Sequence, residues 1–270
     1  MGHPGEFDSW PPTRAQHSHK GDFGHVCLLA GSLGYHGAAV LAARAALRAR
    51  PGLVTVVTAP EVFVPVASQL AAAMVRPWER GWSLPPRTTA VVVGPGLADP
   101  RLPTDFREFI VSGWRSWKLP VVADASALDW LPRGVDGGPS LRVITPHAGE
   151  AARLLGSDAA RVQADRTGSL AQLSAAFGGA WVILKGPGTL VGRSGEWPWW
   201  NPTGNVGLAQ GGSGDVLAGF LGGSLAQPGL SADPMRTLRG AVFRHGEAAD
   251  RLEATGEPWT AEQLADGIRW

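Results

Sequence analysis

The sequence predicts an α/β sandwich in which a mostly parallel central sheet is flanked by helices. Three observations predict it. Short apolar runs recur through the first two-thirds of the chain and end in glycine-rich or polar turns, amphipathic stretches lie between them, and the remainder reads as helices alone. Strands buried on both faces show continuous hydrophobicity rather than alternation. Their alternation with helices argues right-handed βαβ crossovers.

In order, the predicted strands are His25 to Ala30, Leu53 to Thr58, Ala90 to Val93, Val121 to Ala123, Leu141 to Ile144 and Trp181 to Leu184. Between them the predicted helices are Ala38 to Arg50, Asp105 to Trp117, Gly149 to Leu155 and Ser169 to Phe177. The tail predicts helices over Asp215 to Ala226, Met235 to Leu252 and Ala261 to Trp270, covering the sheet. Glu196-Trp197-Pro198-Trp199-Trp200 reads as an edge strand or hairpin arm, where Pro is tolerated and aromatics favour strands, with packing preferred to a ligand platform. A chain of 270 residues with no repeat or obvious linker predicts one domain over 19–270, preceded by a poorly ordered leader over 1–18.

The balance of 24 basic and 23 acidic residues, a formal net charge of +1, leaves no footprint for nucleic acid or an acidic membrane surface. No apolar run is long enough to span a membrane, and the first residues contain no signal-peptide core. The single cysteine, Cys27, sits in the run Val26 to Ala30 and reads as a packed, inert thiol. These features predict a cytoplasmic protein.

In open α/β sheets ligands gather beyond the carboxyl ends of strands, so the residues after each apolar run are the candidates for function. Gln210-Gly211-Gly212-Ser213-Gly214-Asp215 places glycines directly before a helix, where exposed backbone N–H groups can bind phosphate. Asp215 in the first turn could accept a proton from a substrate hydroxyl, or simply favour the helix dipole. Trp181 to Leu184 ends on Lys185-Gly186-Pro187-Gly188-Thr189, whose lysine can reach a nucleotide phosphate or stand on the surface. No Walker motif is present. Thr145-Pro146-His147-Ala148-Gly149-Glu150 offers His147 to a polar substrate and Glu150 to a magnesium ion through water, or a plain helix start. Zinc is not expected, since the seven histidines lack paired spacing and one cysteine supplies no cluster. Ala30-Gly31-Ser32 with Gly37-Ala38-Ala39, and Val93-Gly94-Pro95-Gly96-Leu97, let a bulky ligand lie against the backbone or form tight turns.

Together with His19-Lys20-Gly21-Asp22-Phe23-Gly24, these segments make the chain, from about His19 almost to its end, resemble the ADP/ATP-dependent NAD(P)H-hydrate dehydratase family. The resemblance implies a ribokinase-like three-layer sandwich. It also implies repair of the (6S)-hydrate of NADH or NADPH, with ADP or ATP as phosphoryl donor, magnesium as cofactor, and AMP and phosphate as products when ADP is the donor. By position it implies Asp215 as base, Gly212, Ser213 and Gly214 as anion hole, and Lys185, Gly186, Pro187, Gly188 and Thr189, with Gly214, on the nucleotide. Ala38, Gly96, His147 and Asp215 are implied substrate contacts, Glu150 an indirect metal contact, and a homotetramer the assembly. No epimerase domain is expected before His19. Gln210, Val206 and Ser126 depart from the family pattern in turns around the site. Two other functions are weighed: a kinase of a thiazole- or pyrimidine-type alcohol, which His147 and the His19 to Gly24 segment oppose, and a non-catalytic nucleotide-binding protein.

Overall fold

The computed structural model describes Phe7, residues 13–134 and residues 138–270. The strands are His25–Leu29 (β1), Leu53–Thr58 (β2), Met74–Pro77 (β3), Ala90–Val93 (β4), Val121–Ala123 (β5), Arg142–Ile144 (β6), Trp181–Leu184 (β7), Leu190–Gly192 (β8) and Trp199–Trp200 (β9). They form one sheet in the order β3-β2-β1-β4-β5-β6-β7-β8-β9. Pairing is parallel from β3 to β7 and antiparallel across β7-β8 and β8-β9. All six apolar runs predicted as strands are strands, and the tryptophan-rich segment is the predicted edge. Strands β3 and β8 are additions: β3 is a half-exposed edge containing Arg76 and Pro77, and β8 is three residues long.

The helices are His36–Arg48 (α1), Phe63–Ala67 (α2), Thr104–Ser116 (α3), Ala148–Leu155 (α4), Ala159–Ala164 (α5), Arg166–Ala176 (α6), Ser213–Leu225 (α7), Pro228–Ser231 (α8), Pro234–Glu253 (α9) and Ala261–Gly267 (α10). The last helix is shorter than predicted because Ile268 turns to extended backbone. Helix α3 ends where the buried Arg142 side chain collects its last carbonyls, donating to Trp114 O and Trp117 O at 2.7 Å each and to Leu119 O at 3.0 Å. Among the described residues, backbone carbonyls thus satisfy this buried guanidinium.

The chain runs from β1 to β2 in one direction across the sheet and from β4 to β5 in the other, so right-handed crossovers place α1 and α3 on opposite faces. The strand order reverses between β1 and β4, the place where open α/β sheets bind ligands beyond the carboxyl ends of their strands. Helix α7 packs against α1, α9 and the sheet, and every residue from Val216 to Leu225 is buried. Its glycines allow this. A side chain at Gly219 would begin 1.9 Å from Ala42 O, at Gly223 2.5 Å from Ala46 O, and at Gly222 2.0 Å from Val92 Cγ2. Gly219→Val is therefore expected to destabilise the fold by about 3 kcal/mol or more through overpacking against backbone, read as a lowered melting temperature.

Of the segment expected to be a poorly ordered leader, residues 1–6 and 8–12 lie outside the described residues. Phe7 is fully buried, with its ring 6.3 Å from Trp199 and 5.4 Å from Phe243. Arg14 donates to Arg50 O and lies 3.7 Å over the Phe23 ring, so these two leader residues are docked on the domain. Cys27 is buried in β1 and burial pushes its thiol upward, in keeping with a packed, inert group. No described helix is long and apolar enough to cross a membrane.

Candidate active site

The two strands flanking the switch point end in interlocked glycine turns. Gly31 N–H donates to Pro95 O at 2.8 Å, and Ser32 Oγ donates to Gly96 O at 2.7 Å. Gly96 has φ of 66°, and a side chain there would begin 2.4 Å from Tyr35 O and 2.9 Å from Ala38 Cβ. The predicted substrate contacts Ala38 and Gly96 are thus neighbours in one bare-walled corner. Only glycine suits that conformation and that approach.

The predicted anion hole opens α7. Gly212 caps it with φ of 95°, and a side chain there would begin 2.5 Å from Leu41 Cδ1. The Ser213 hydroxyl donates back to Leu208 O at 2.8 Å, closing the turn. Gln210 donates from Nε2 to Gly207 O at 2.7 Å, so the departure at this position folds onto its own loop. Val206, the second departure, is exposed, and Ser126 lies in a 3-10 turn over Ala125–Asp129.

A cluster of charges faces this turn. Lys185 follows β7, its N–H donating to Pro146 O at 2.9 Å, and its Nζ donates to Asp124 Oδ1 at 2.7 Å. Glu150 Oε2 stands 3.8 Å from the same ammonium. Gly214 completes the link, since a side chain there would begin 3.2 Å from Lys185 Nζ. Burial alone would push the Lys185 ammonium down, but Asp124, Glu150 and then Asp215 outweigh it, so it is raised and stays charged. Asp215 is pushed up to about 7, first by burial and then by the Asp124 carboxylate, with Lys185 opposing. A carboxylate poised near neutrality is suited to taking and giving a proton.

Asp124 belongs to this cluster, though the sequence alone did not mark it as a candidate. It is 1% exposed, accepts a second hydrogen bond from Thr145 Oγ1 at 2.7 Å, and is followed by Ala125 with φ of 49°. A non-glycine residue in that region is strained, and such strain clusters at functional sites. The available signal was its place directly after the apolar run Val121 to Ala123.

His147 and Glu150 form the start of α4 reciprocally. His147 Nδ1 accepts from Gly149 N at 3.0 Å and Glu150 N at 3.2 Å, while Glu150 Oε2 accepts from His147 N at 2.8 Å. This pattern puts the proton of the neutral ring on Nε2, on an exposed side chain. The capping and ligand-binding readings of this motif are therefore compatible. In the Lys185 to Thr189 loop, the Arg166 guanidinium donates to Leu184 O at 2.9 Å and Gly188 O at 3.3 Å, and Thr189 Oγ1 donates to Gly186 O at 3.1 Å. Arg166, distant in sequence, was not singled out. A side chain at Gly188 would begin 1.7 Å from Trp200 Nε1, so the β9 edge backs this loop.

Among the described residues no three His, Cys, Asp or Glu side chains converge to hold a metal ion. The Lys185 ammonium already sits among Asp124 and Glu150. The donor set fits a cation carried mainly by ligand phosphates and water, not a protein cage.

The family model described as NAD(P)H-hydrate dehydratase matches residues 26–269. The chain is 38% identical over 252 residues to a bifunctional NAD(P)H-hydrate repair enzyme, Nnr, of Coxiella burnetii, covering 91% of this chain and 49% of that protein. It thus spans about half the length of that relative. It is 36% identical to the ADP-dependent (S)-NAD(P)H-hydrate dehydratase of Neisseria meningitidis, covering 96% of this chain and 88% of that one. A crystal structure of the Bacillus subtilis ADP/ATP-dependent NAD(P)H-hydrate dehydratase, co-crystallized with ATP/Mg2+, superposes with a TM-score of 0.83 at 30% identity, covering 95% of this chain and 91% of that one. The mostly parallel sandwich, the glycine turns at its switch point and these likenesses agree: the chain belongs to the NAD(P)H-hydrate dehydratase family.

Proposed function

We propose that the protein restores NADH and NADPH from their (6S)-hydrates, using ADP as phosphoryl donor and releasing AMP and phosphate. The observation that carries this reading is the position of Asp215, near-neutral and in the first turn of a glycine-led helix, within the field of the Lys185 ammonium. Relatives named for this reaction support the substrate and the donor.

In the proposed course, the hydrate lies against Ala38 and Gly96 with His147 Nε2–H on its polar groups. The donor's phosphates lie along Lys185 to Thr189. Asp215 accepts the proton of the substrate hydroxyl as its oxygen attacks the terminal phosphorus of ADP. The bond from that phosphorus to the bridging oxygen breaks and AMP leaves. The N–H groups of Gly212 to Gly214 and the Lys185 ammonium stabilise the phosphoryl group in flight. The ring nitrogen's lone pair then expels phosphate, and loss of the adjacent C–H proton re-forms the double bond. Phosphorylation turns hydroxide, a poor leaving group, into phosphate, a good one.

Magnesium bound to the donor phosphates, with Glu150 reaching it through water, would neutralise phosphate charge. ATP in place of ADP would give ADP and phosphate by the same steps. A cytoplasmic setting and a homotetramer belong to the same reading. Incubation with hydrated NADH, ADP and magnesium, followed at the reduced-nicotinamide absorbance band, tests it. Recovery of NADH is expected; no recovery with either ADP or ATP sinks the proposal.

A further inference from the structure

The carbonyl of Ser213 and the N–H of Gly214 belong to one planar peptide unit and point in opposite directions. Whatever holds that oxygen therefore aims that N–H. His245, on α9, is in place to do so: its Nε2 lies 3.0 Å from Ser213 O. A carbonyl can only accept, so this hydrogen bond requires the proton on Nε2. The ring is 7% exposed. Burial is the main cause of a pKa pushed down to about 4, with the Ser213 bond opposing and the Lys185 charge assisting, so the ring is a neutral donor at ordinary pH.

The helix carrying His245 is itself tied to the loop that leads into the turn. Thr203 Oγ1 donates to Phe243 O at 2.8 Å, and Asp250 accepts from Gly204 N at 2.9 Å and Asn205 Nδ2 at 3.0 Å. At Gly246 a side chain would begin 2.4 Å from Thr203 Oγ1. Histidine and turn are thus held in a common frame from behind the site.

We infer that His245 is a positioning residue for phosphoryl transfer: by donating to the Ser213 carbonyl it fixes the peptide plane that directs the Gly214 N–H at the phosphoryl group. The inference rests on the proposed function, in which Gly212 to Gly214 form the anion hole. The same bond polarises the peptide, since linked hydrogen bonds strengthen one another by about 10–30%. A buried histidine that merely satisfies itself on the nearest carbonyl would give the same distance, so the test must separate the two roles.

Two variants do so. His245→Gln keeps an N–H donor near the position of Nε2, and His245→Phe fills the space without one. Both are first checked for wild-type thermal melting. In protein labelled with 15N-glycine, adding inorganic phosphate is expected to shift the Gly214 amide proton downfield in the parent and in H245Q, and to leave it unmoved in H245F. With hydrated NADH and ADP, H245F is expected to lose about 10- to 100-fold in kcat with the KM for ADP little changed, since losing a well-aimed oxyanion donor outright costs about 100- to 1000-fold. H245Q is expected to recover most of that loss. The inference is overturned if H245F responds to phosphate like the parent, or if H245Q is impaired as much as H245F. The amide shift needs no turnover, so its selective loss in H245F supports the positioning even if hydrated NADH is not a substrate. That separates this inference from the reading it rests on.

Discussion

Replacing Asp215 with asparagine is expected to stop hydrate turnover, with a loss in kcat of about 100- to 10,000-fold, while nucleotide binding persists. Asparagine keeps the size and polarity of the side chain but cannot accept the hydroxyl proton. In the parent the same group, acting as the proposed base, is expected to set the pH profile. The carboxyl ordinarily titrates at 3.8 and is raised to about 7 in the fold. It works only when ionised, so activity is expected to fall on the acid side with an apparent pKa near 7, and D215N to show no such limb. The effect on stability has the opposite sense. Below 3.8 both folded and unfolded chains hold the proton, and between 3.8 and about 7 the folded chain alone holds it, so this contribution is lost as pH rises. By pH 8 the ionised carboxylate costs the fold about 2–3 kcal/mol, after a discount for the solvent reaching a half-buried group. D215N is therefore expected to melt above the parent at pH 8 and to lose that advantage at pH 4. Circular dichroism melts at the two pH values, beside the hydrate assay, check both halves; residual turnover near the parent's would remove Asp215 from the role of base.

The second large effect is expected at Lys185. Lys185→Met leaves the buried Asp124 carboxylate without its ammonium at 2.7 Å and removes the cation 3.8 Å from Glu150. Breaking such a pair from one side costs about 3–5 kcal/mol, because the remaining charge is left uncompensated. Turnover is expected to fall about 100-fold or more through loss of charge stabilisation at the phosphoryl group. Lys185 holds the Asp215 carboxyl down, so its removal shifts any surviving acid limb above the parent's. The double variant K185M/D124N separates the two consequences. It is expected to regain much of the stability and little of the turnover. Recovery of both would make the lysine a structural counter-ion and nothing more.

The sheet was legible because β1, β2, β4, β5 and β7 are buried on both faces, and no surface-facing residue interrupts their hydrophobicity. Strand β3 was not, since an edge strand of Met74, Val75, Arg76 and Pro77 carries no such run. At the site, glycine turns announced themselves locally: Gly96 follows β4 and meets the Tyr35 carbonyl, Gly212 caps α7 against Leu41 and Ala261, and Gly214 lies in the first turn of α7 beside the Lys185 ammonium. The charge partnerships did not. Lys185 was visible as a lysine at a strand end, yet its neighbour Asp124 is 61 positions away, and only the pairing of strands brings them together. His245 is hidden more completely, because a histidine on the inner face of an amphipathic helix looks like any core residue until its carbonyl partner is known. Local physics marks where a ligand would lie; the chemistry depends on contacts between distant segments.

The glycine seam beneath α7 bears on how the site moves. Helices separated by side chains can slide, because rotamers absorb small displacements; two backbones in direct contact have no such bearing between them. Gly219 and Gly223 rest on the carbonyls of Ala42 and Ala46, so the helix that carries Asp215 is locked to the helix that carries Ala38. The proposed base and the proposed substrate wall form a single rigid jaw. The turn from Gly186 to Gly188 is exposed or half-buried, yet it too is held, by the Arg166 guanidinium, by Thr189 Oγ1 and by the Trp200 edge behind it.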